Sequence, residues 1–199
     1  MILTESQRLQ TVVKLFNRLF AEECNTRLIG GAAEPVYIPA GYSIEDEPVA
    51  GIKETGICDY HRLYFREDYL SSALHETAHW SLAGAERRLK LDFGYWYNPD
   101  GRSEQQQALF EQAETKPQAL EWMFAVACGW QFRVSADNLA AGLDASDGFA
   151  RAVVEQARSW CSGSQMPSRA ERFLNELAGY FGRQNCRCSG HYHLDKLSG

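Results

Sequence analysis

The segment Leu74-His75-Glu76-Thr77-Ala78-His79-Trp80 constrains this chain more than any other. Its H-E-x-x-H spacing sets two histidines four residues apart, and on an α-helix such residues share a face, one turn apart. His75 and His79 can then offer two imidazole nitrogens to one metal ion. Glu76 sits beside the first histidine, placed to act as a base on metal-bound water or to steady the site by hydrogen bonding. The flanks favour a buried helix. Asp68 and Ser71 are candidate N-caps, and Leu70, Ala73, Leu74, Ala78, Leu82 and Ala83 put apolar groups on more than one side. Gly84 is a candidate end signal, with Arg87, Arg88 and Lys90 just beyond.

A buried helix needs a core around it. At 199 residues, 45% hydrophobic and 23% charged, the chain can build one without staples. The absence of a long linker points to one domain over residues 1–185, followed by a tail, 186–199. No apolar run approaches the roughly 20 residues of a membrane span. Met1 to Arg8 lacks the basic-then-apolar layout of a signal peptide, so the expected compartment is the cytoplasm. There the six scattered cysteines are expected to be free thiols. The net charge of -6, with no basic stripe, argues against direct nucleic-acid binding and suits a cationic substrate. The expected state is a monomer.

Periodicity supplies the other elements. Thr4 to Cys24 reads as an amphipathic helix opened by a Thr4/Gln7 capping box, with Leu9, Val12, Val13, Phe16, Leu19 and Phe20 on one face. Glycines and prolines from Asn25 to Gly56 break the chain into short strands such as Val36-Tyr37-Ile38, with Glu45-Asp46-Glu47 as a solvated loop. Tyr60 to Arg66 alternates like a half-buried strand, and His61 on its apolar face is expected to be a hydrogen-bonded core histidine. Ser103/Gln106 opens a helix that is expected to end near Glu114, before a Thr115-Lys116 junction. A second helix then starts at Pro117 and runs to Phe132. Two more fit Ser146–Trp160 and Ser168–Arg183. The Cys186, Cys188, His191 and His193 tail is spaced too tightly for the usual four-ligand zinc layouts, and is expected to be flexible with incidental thiols.

A catalytic metal site needs a third protein ligand. Two histidines and a carboxylate fit either a hydrolytic zinc site or the facial triad of non-haem Fe(II) oxygenases, and spacing does not choose between them. Glu114 is the expected third ligand, because a side chain at a helix junction can be aimed across at the histidine helix. Glu121, beside the Leu120/Phe124 stripe, is the second choice, and Glu111, mid-helix beside Phe110, the weakest.

With these residues in view, the chain resembles the elongation factor P hydroxylase family. The resemblance rests on Ser72 to Trp80, Ala83-Gly84, Arg87-Arg88, Gly94 to Arg102, and Glu114 to Trp122. It implies a compact α+β domain with the metal helix packed on a small sheet, similar to metal-dependent hydrolase folds. It also implies Fe(II)-type mono-oxygenation, using O2, of a lysine on elongation factor P that already carries a β-lysyl group. Glu76 then either steadies the site by hydrogen bonding or handles a proton, rather than binding the metal. Asp92, Asp100 and Glu104 flank Tyr95-Trp96-Tyr97. These acids, and Glu121, can hold ammonium groups while the aromatics pack on alkyl stems, with a cation–π contribution of about 0.5–2 kcal/mol. The rival readings are a zinc peptidase or nuclease using Glu76 as general base, and a binding module with a structural metal. The second is weakened because structural zinc usually has four protein ligands.

Overall fold

The computed structural model describes residues 3–43, 52, 56–93, 102–135 and 146–197. The fold class is α+β: five α-helices and one three-stranded sheet among the described residues. None of these helices is long and apolar enough to cross a membrane. The chain divides into two compact units, Met1–Gly94 and Tyr95–Gly199. The expected aromatic pocket wall (Tyr95, Trp96, Tyr97) with Asp100, and the acidic cluster Glu45-Asp46-Glu47, lie outside the described residues.

The first unit begins with α1 (Glu5–Phe20), and its Thr4/Gln7 capping box is formed as expected. The buried stripe is Leu9, Val12, Leu15, Phe16 and Phe20. Leu15 replaces Val13 and Leu19, which are only half-buried. The strands β1 (Thr26–Ala32), β2 (Val36–Ile38) and β3 (His61–Arg66) are ordered β1-β3-β2, with β1 parallel and β2 antiparallel to β3. Asn17 of α1 closes the outer edge of β1. It accepts from Leu28 N at 2.8 Å and donates to Leu28 O at 3.2 Å, satisfying backbone groups that no further strand pairs among the described residues.

The alternation in β3 suggests one wet face, and the structure corrects this. Arg62, Leu63, Tyr64 and Phe65 are all buried, because β3 is the central strand and both of its faces are covered. Tyr64 joins Ala32, Val36 and Ile38 in a core packed by Tyr42, Leu91 and Phe93. Arg62 sits at 0% exposure, with Nη2 donating to Tyr42 O.

The sheet also dictates a glycine. Across β1 the register slips between Ile29 and Ala32, and Gly31 takes φ +86°, a left-handed conformation suited to glycine. At Gly30 an added Cβ would stand 2.7 Å from Phe65 Cζ and 2.8 Å from Asp68 Oδ1. Gly30→Ala is therefore expected to cost about 1–3 kcal/mol, as overpacking does. Urea unfolding would read this as a lower midpoint, and an unchanged midpoint would show that the sheet can relax around the methyl.

The second unit is helical: α3 (Glu104–Cys128), α4 (Asp147–Cys161) and α5 (Ser168–Phe181). The Ser103/Gln106 capping box is present, Ser146 caps α4, and left-handed glycines Gly129 and Gly182 end α3 and α5. The expected junction at Thr115-Lys116 does not exist, since α3 runs unbroken through Pro117. Proline costs a mid-helix position about 3 kcal/mol, having no N–H for residue i-4. Burial of every residue from Pro117 to Ala125 holds the helix together through that defect. Phe124 meets Phe173 of α5 edge-on at 5.0 Å.

The tail is part of this unit. Tyr192 is fully buried, edge-on to Trp122 at 5.0 Å, and its hydroxyl donates to the carbonyl of Cys186. Arg158 Nε donates to Tyr192 O at 2.8 Å. Cys186 is buried and all six cysteines are free thiols. Burial pushes the Cys161 thiol up to about 11 and raises Cys186, so neither is a ready thiolate. Among the described residues, no group of three metal donors gathers at Cys186, Cys188, His191 and His193.

Candidate metal centre

The histidines ride on α2 (Leu70–Leu82). One side of this helix, Leu70, Ala73, Leu74, Thr77, Ala78 and Ser81, is buried at helical spacing. The helix packs on β3, β1 and α1. Trp80 anchors it, its ring 5.0 Å from Phe16 and 4.8 Å from Phe20. Neither Asp68 nor Ser71 caps the helix. Tyr69 occupies the N-cap without a side-chain bond, and the Ser72 hydroxyl accepts from Arg66 N at 2.9 Å. The helix ends at Leu82, just ahead of Gly84.

On this fixed helix His75 and His79 are half-buried, with Nε2 atoms 3.0 Å apart and rings crossed at 68°. Two imidazole nitrogens about 2.0–2.1 Å from a shared ion stand roughly 3.0–3.4 Å apart, depending on the angle between them. The pair therefore fits a divalent metal without moving the backbone.

Beside the pair lies a pocket of about 400 Å³, partly open to solvent. Glu76, His79, Trp80 and Ala83 line it from α2, joined by Tyr37, Leu63, Arg87, Arg88 and Asp92. Thus Glu76 faces the pocket one residue round the helix from His75. His79, Trp80 and Ala83 follow it at i+3, i+4 and i+7, a spacing that could have been read from the sequence. Tyr37 and Leu63 carried no such signal, because they reach the pocket through the sheet, and Arg88 reaches it from the 3-10 turn Arg87–Leu89.

Asp92 is the one predicted substrate group in this unit, and its surroundings are ordered. Its backbone exchanges hydrogen bonds with Tyr37, at 2.8 and 3.0 Å, and its carboxylate accepts from Arg87 Nε. The Tyr37 hydroxyl donates to Arg88 O at 2.9 Å. His61 is a core histidine, as expected. Its Nδ1 accepts from Ala40 N at 2.9 Å, and its ring stacks on Tyr37. Burial, and then the charge of Arg88, lowers its pKa, so the imidazole is held neutral behind the pocket wall.

The glutamates belong to the second unit. Gln107, Glu111, Glu114, Gln118 and Glu121 recur at steps of four and three, so they form one polar stripe along α3. Glu111 is committed elsewhere. Ser146 Oγ donates to it at 2.6 Å and Gln107 Nε2 at 3.2 Å, which fastens α3 to the start of α4. Gln118 holds both backbone groups of Ser135. Glu114 and Glu121 are both buried. Glu114 lies mid-helix, so the junction argument that singled it out does not apply. Burial of a carboxylate costs several kcal/mol unless it is compensated, and it marks Glu114 and Glu121 alike. Glu104 is exposed in the first turn of α3, where its charge suits the helix terminus.

Residues 15–190 match the sequence profile of the family described as Elongation factor P hydroxylase. A Haemophilus influenzae protein named Elongation factor P lysine hydroxylase is 42% identical over 178 residues, covering 89% of this chain and 92% of that protein.

Proposed function

This chain belongs to the elongation factor P hydroxylase family, and we propose that it adds one oxygen atom to the β-lysylated lysine of elongation factor P. The observation that carries this reading is the pair of convergent Nε2 atoms, 3.0 Å apart, beside a pocket that holds carboxylates and apolar walls. Family membership sets aside the zinc-hydrolase reading.

His75, His79 and Glu114 are proposed to hold the metal, with Glu121 as the alternative third ligand. Two imidazoles and one carboxylate are the donor set of non-haem Fe(II) oxygenases. Such an ion, when bound, supplies the activation of O2 that an unreactive carbon requires. Glu76, within the pocket rather than on the His75/His79 seam, handles a proton of the reaction. Asp92 holds an ammonium of the substrate, while Tyr37, Leu63 and Trp80 exclude water from its alkyl stem. Tyr95, Trp96, Tyr97 and Asp100 are proposed to take part in substrate binding. Residues 1–185 are proposed to act as one catalytic domain. The enzyme works as a monomer in the cytoplasm, where its substrate serves translation, and needs neither nucleic acid nor a membrane.

Alanine substitution tests the third ligand. Glu114→Ala is expected to weaken Fe(II) binding, measured anaerobically by titration, by more than the roughly 10–100-fold typical of outer hydrogen-bond partners. Glu121→Ala should stay within that range. The reverse order would move the ligand to Glu121.

A further inference from the structure

Taking the pocket beside His79 as the site of the β-lysylated lysine, the reading proposed above, we infer that Arg88 donates to the amide carbonyl of the β-lysyl group. Arg88 thereby makes the pocket select acylated over unmodified lysine. The residue lines the pocket and is held there through its backbone, whose carbonyl accepts from the Tyr37 hydroxyl at 2.9 Å. Its side chain is half-buried, and its Nε is buried with no hydrogen-bond partner. Among the described residues, no hydrogen bond or ion pair takes up the rest of the guanidinium. Its neighbour Arg87, by contrast, pairs with Asp92. A desolvated donor on a charged group costs free energy while nothing accepts from it. Arg88 therefore presents a donor on the pocket wall that an acceptor on a ligand would satisfy.

The modified lysine carries such an acceptor. A lysyl group is an acyl group, so joining it to the lysine nitrogen turns an ammonium into a neutral amide. That change removes the charge that Arg88 would repel and supplies a carbonyl oxygen, which accepts through two lone pairs. A hydrogen bond from a charged donor is the stronger kind. An unmodified lysine brings donors alone, so it leaves Nε unpaired and sets two cations against each other. The selection thus has an attractive and a repulsive half. The ammonium groups of the β-lysyl arm lie beyond the amide, and Glu76 and Asp92 offer carboxylates to them in the same pocket.

The test uses the whole metal-loaded chain, kept anaerobic, with binding measured by titration calorimetry. The probes are Nα-acetyl-lysine methylamide and its Nε-(β-lysyl) derivative. The unaltered protein should bind the derivative at least about tenfold more tightly, the low end of the range for a hydrogen bond to a charged group. Arg88→Met keeps an unbranched stem and has no donor. It should weaken binding of the derivative about 10- to 100-fold, while the unmodified probe binds as before or more tightly. Ala83→Phe, which fills the pocket from the end of α2, should abolish binding of both probes. If neither probe binds the unaltered protein, or if Ala83→Phe leaves both affinities unchanged, the reading of the pocket fails. If Ala83→Phe blocks both probes but Arg88→Met weakens neither, or weakens both alike, the pocket stands and the role of Arg88 is refuted. Equal affinity of the unaltered protein for the two probes refutes it in the same way.

Discussion

His75→Ala and His79→Ala are each expected to strip the bound metal and reduce hydroxylation of elongation factor P to background. Each removes half of a nitrogen pair separated by 3.0 Å, and one imidazole with one carboxylate leaves a divalent ion without its third protein ligand. The loss of affinity should exceed the about 10–100-fold seen for outer partners. The fold should survive. The face that packs α2, with Leu70, Ala73, Leu74, Thr77 and Ala78, is untouched, and both histidines are only half-buried. Metal content by mass spectrometry after anaerobic purification, alongside circular dichroism, separates loss of the site from loss of the fold. Full metal occupancy in either variant would remove that histidine from the coordination set.

Glu76→Gln is expected to do the opposite: keep the metal and lose the reaction, with turnover down about 10²–10⁴-fold, the range for a positioned acid or base. The substitution conserves shape and one hydrogen-bonding oxygen but removes the charge and the ability to take up a proton. Its position argues for this split. Glu76 lies one residue from His75, which on a helix turns it well off the histidine seam, and it lines the pocket with His79 and Trp80. Unchanged turnover would leave Glu76 a wall residue. Metal loss equal to that of His75→Ala would make it a ligand.

Much of this was legible in the sequence where the determinants are local. The Thr4/Gln7 and Ser103/Gln106 capping boxes each lie within four residues, and both form. The histidine pair is legible for the same reason, since helical spacing alone brings the two nitrogens together. Where the determinants are distant, the sequence misleads. Tyr60 to Arg66 alternates as if one face were wet, yet Tyr42, Leu91 and Phe93 come from elsewhere in the chain to cover it. Pro117 carries a strong local break signal, which burial on all sides of α3 overrides. The tail is thin in apolar residues, but the burial of Tyr192 and Cys186 builds it into the second unit. The pocket mixes both kinds of determinant: Glu76, His79, Trp80 and Ala83 follow from one helix, while Tyr37 and Asp92 meet only through a bridge between distant segments.

The central claim is the reaction itself, and mass spectrometry of the protein substrate tests it most directly. Elongation factor P bearing the β-lysylated lysine, incubated with this protein, Fe(II) and O2, should gain about 16 Da on that residue, one oxygen atom. The gain should vanish without O2 and in the His79→Ala variant. An unchanged mass, under conditions where the metal site is shown to be filled, would contradict the account, and cleavage of the substrate instead would point to metal-assisted hydrolysis with Glu76 as its base.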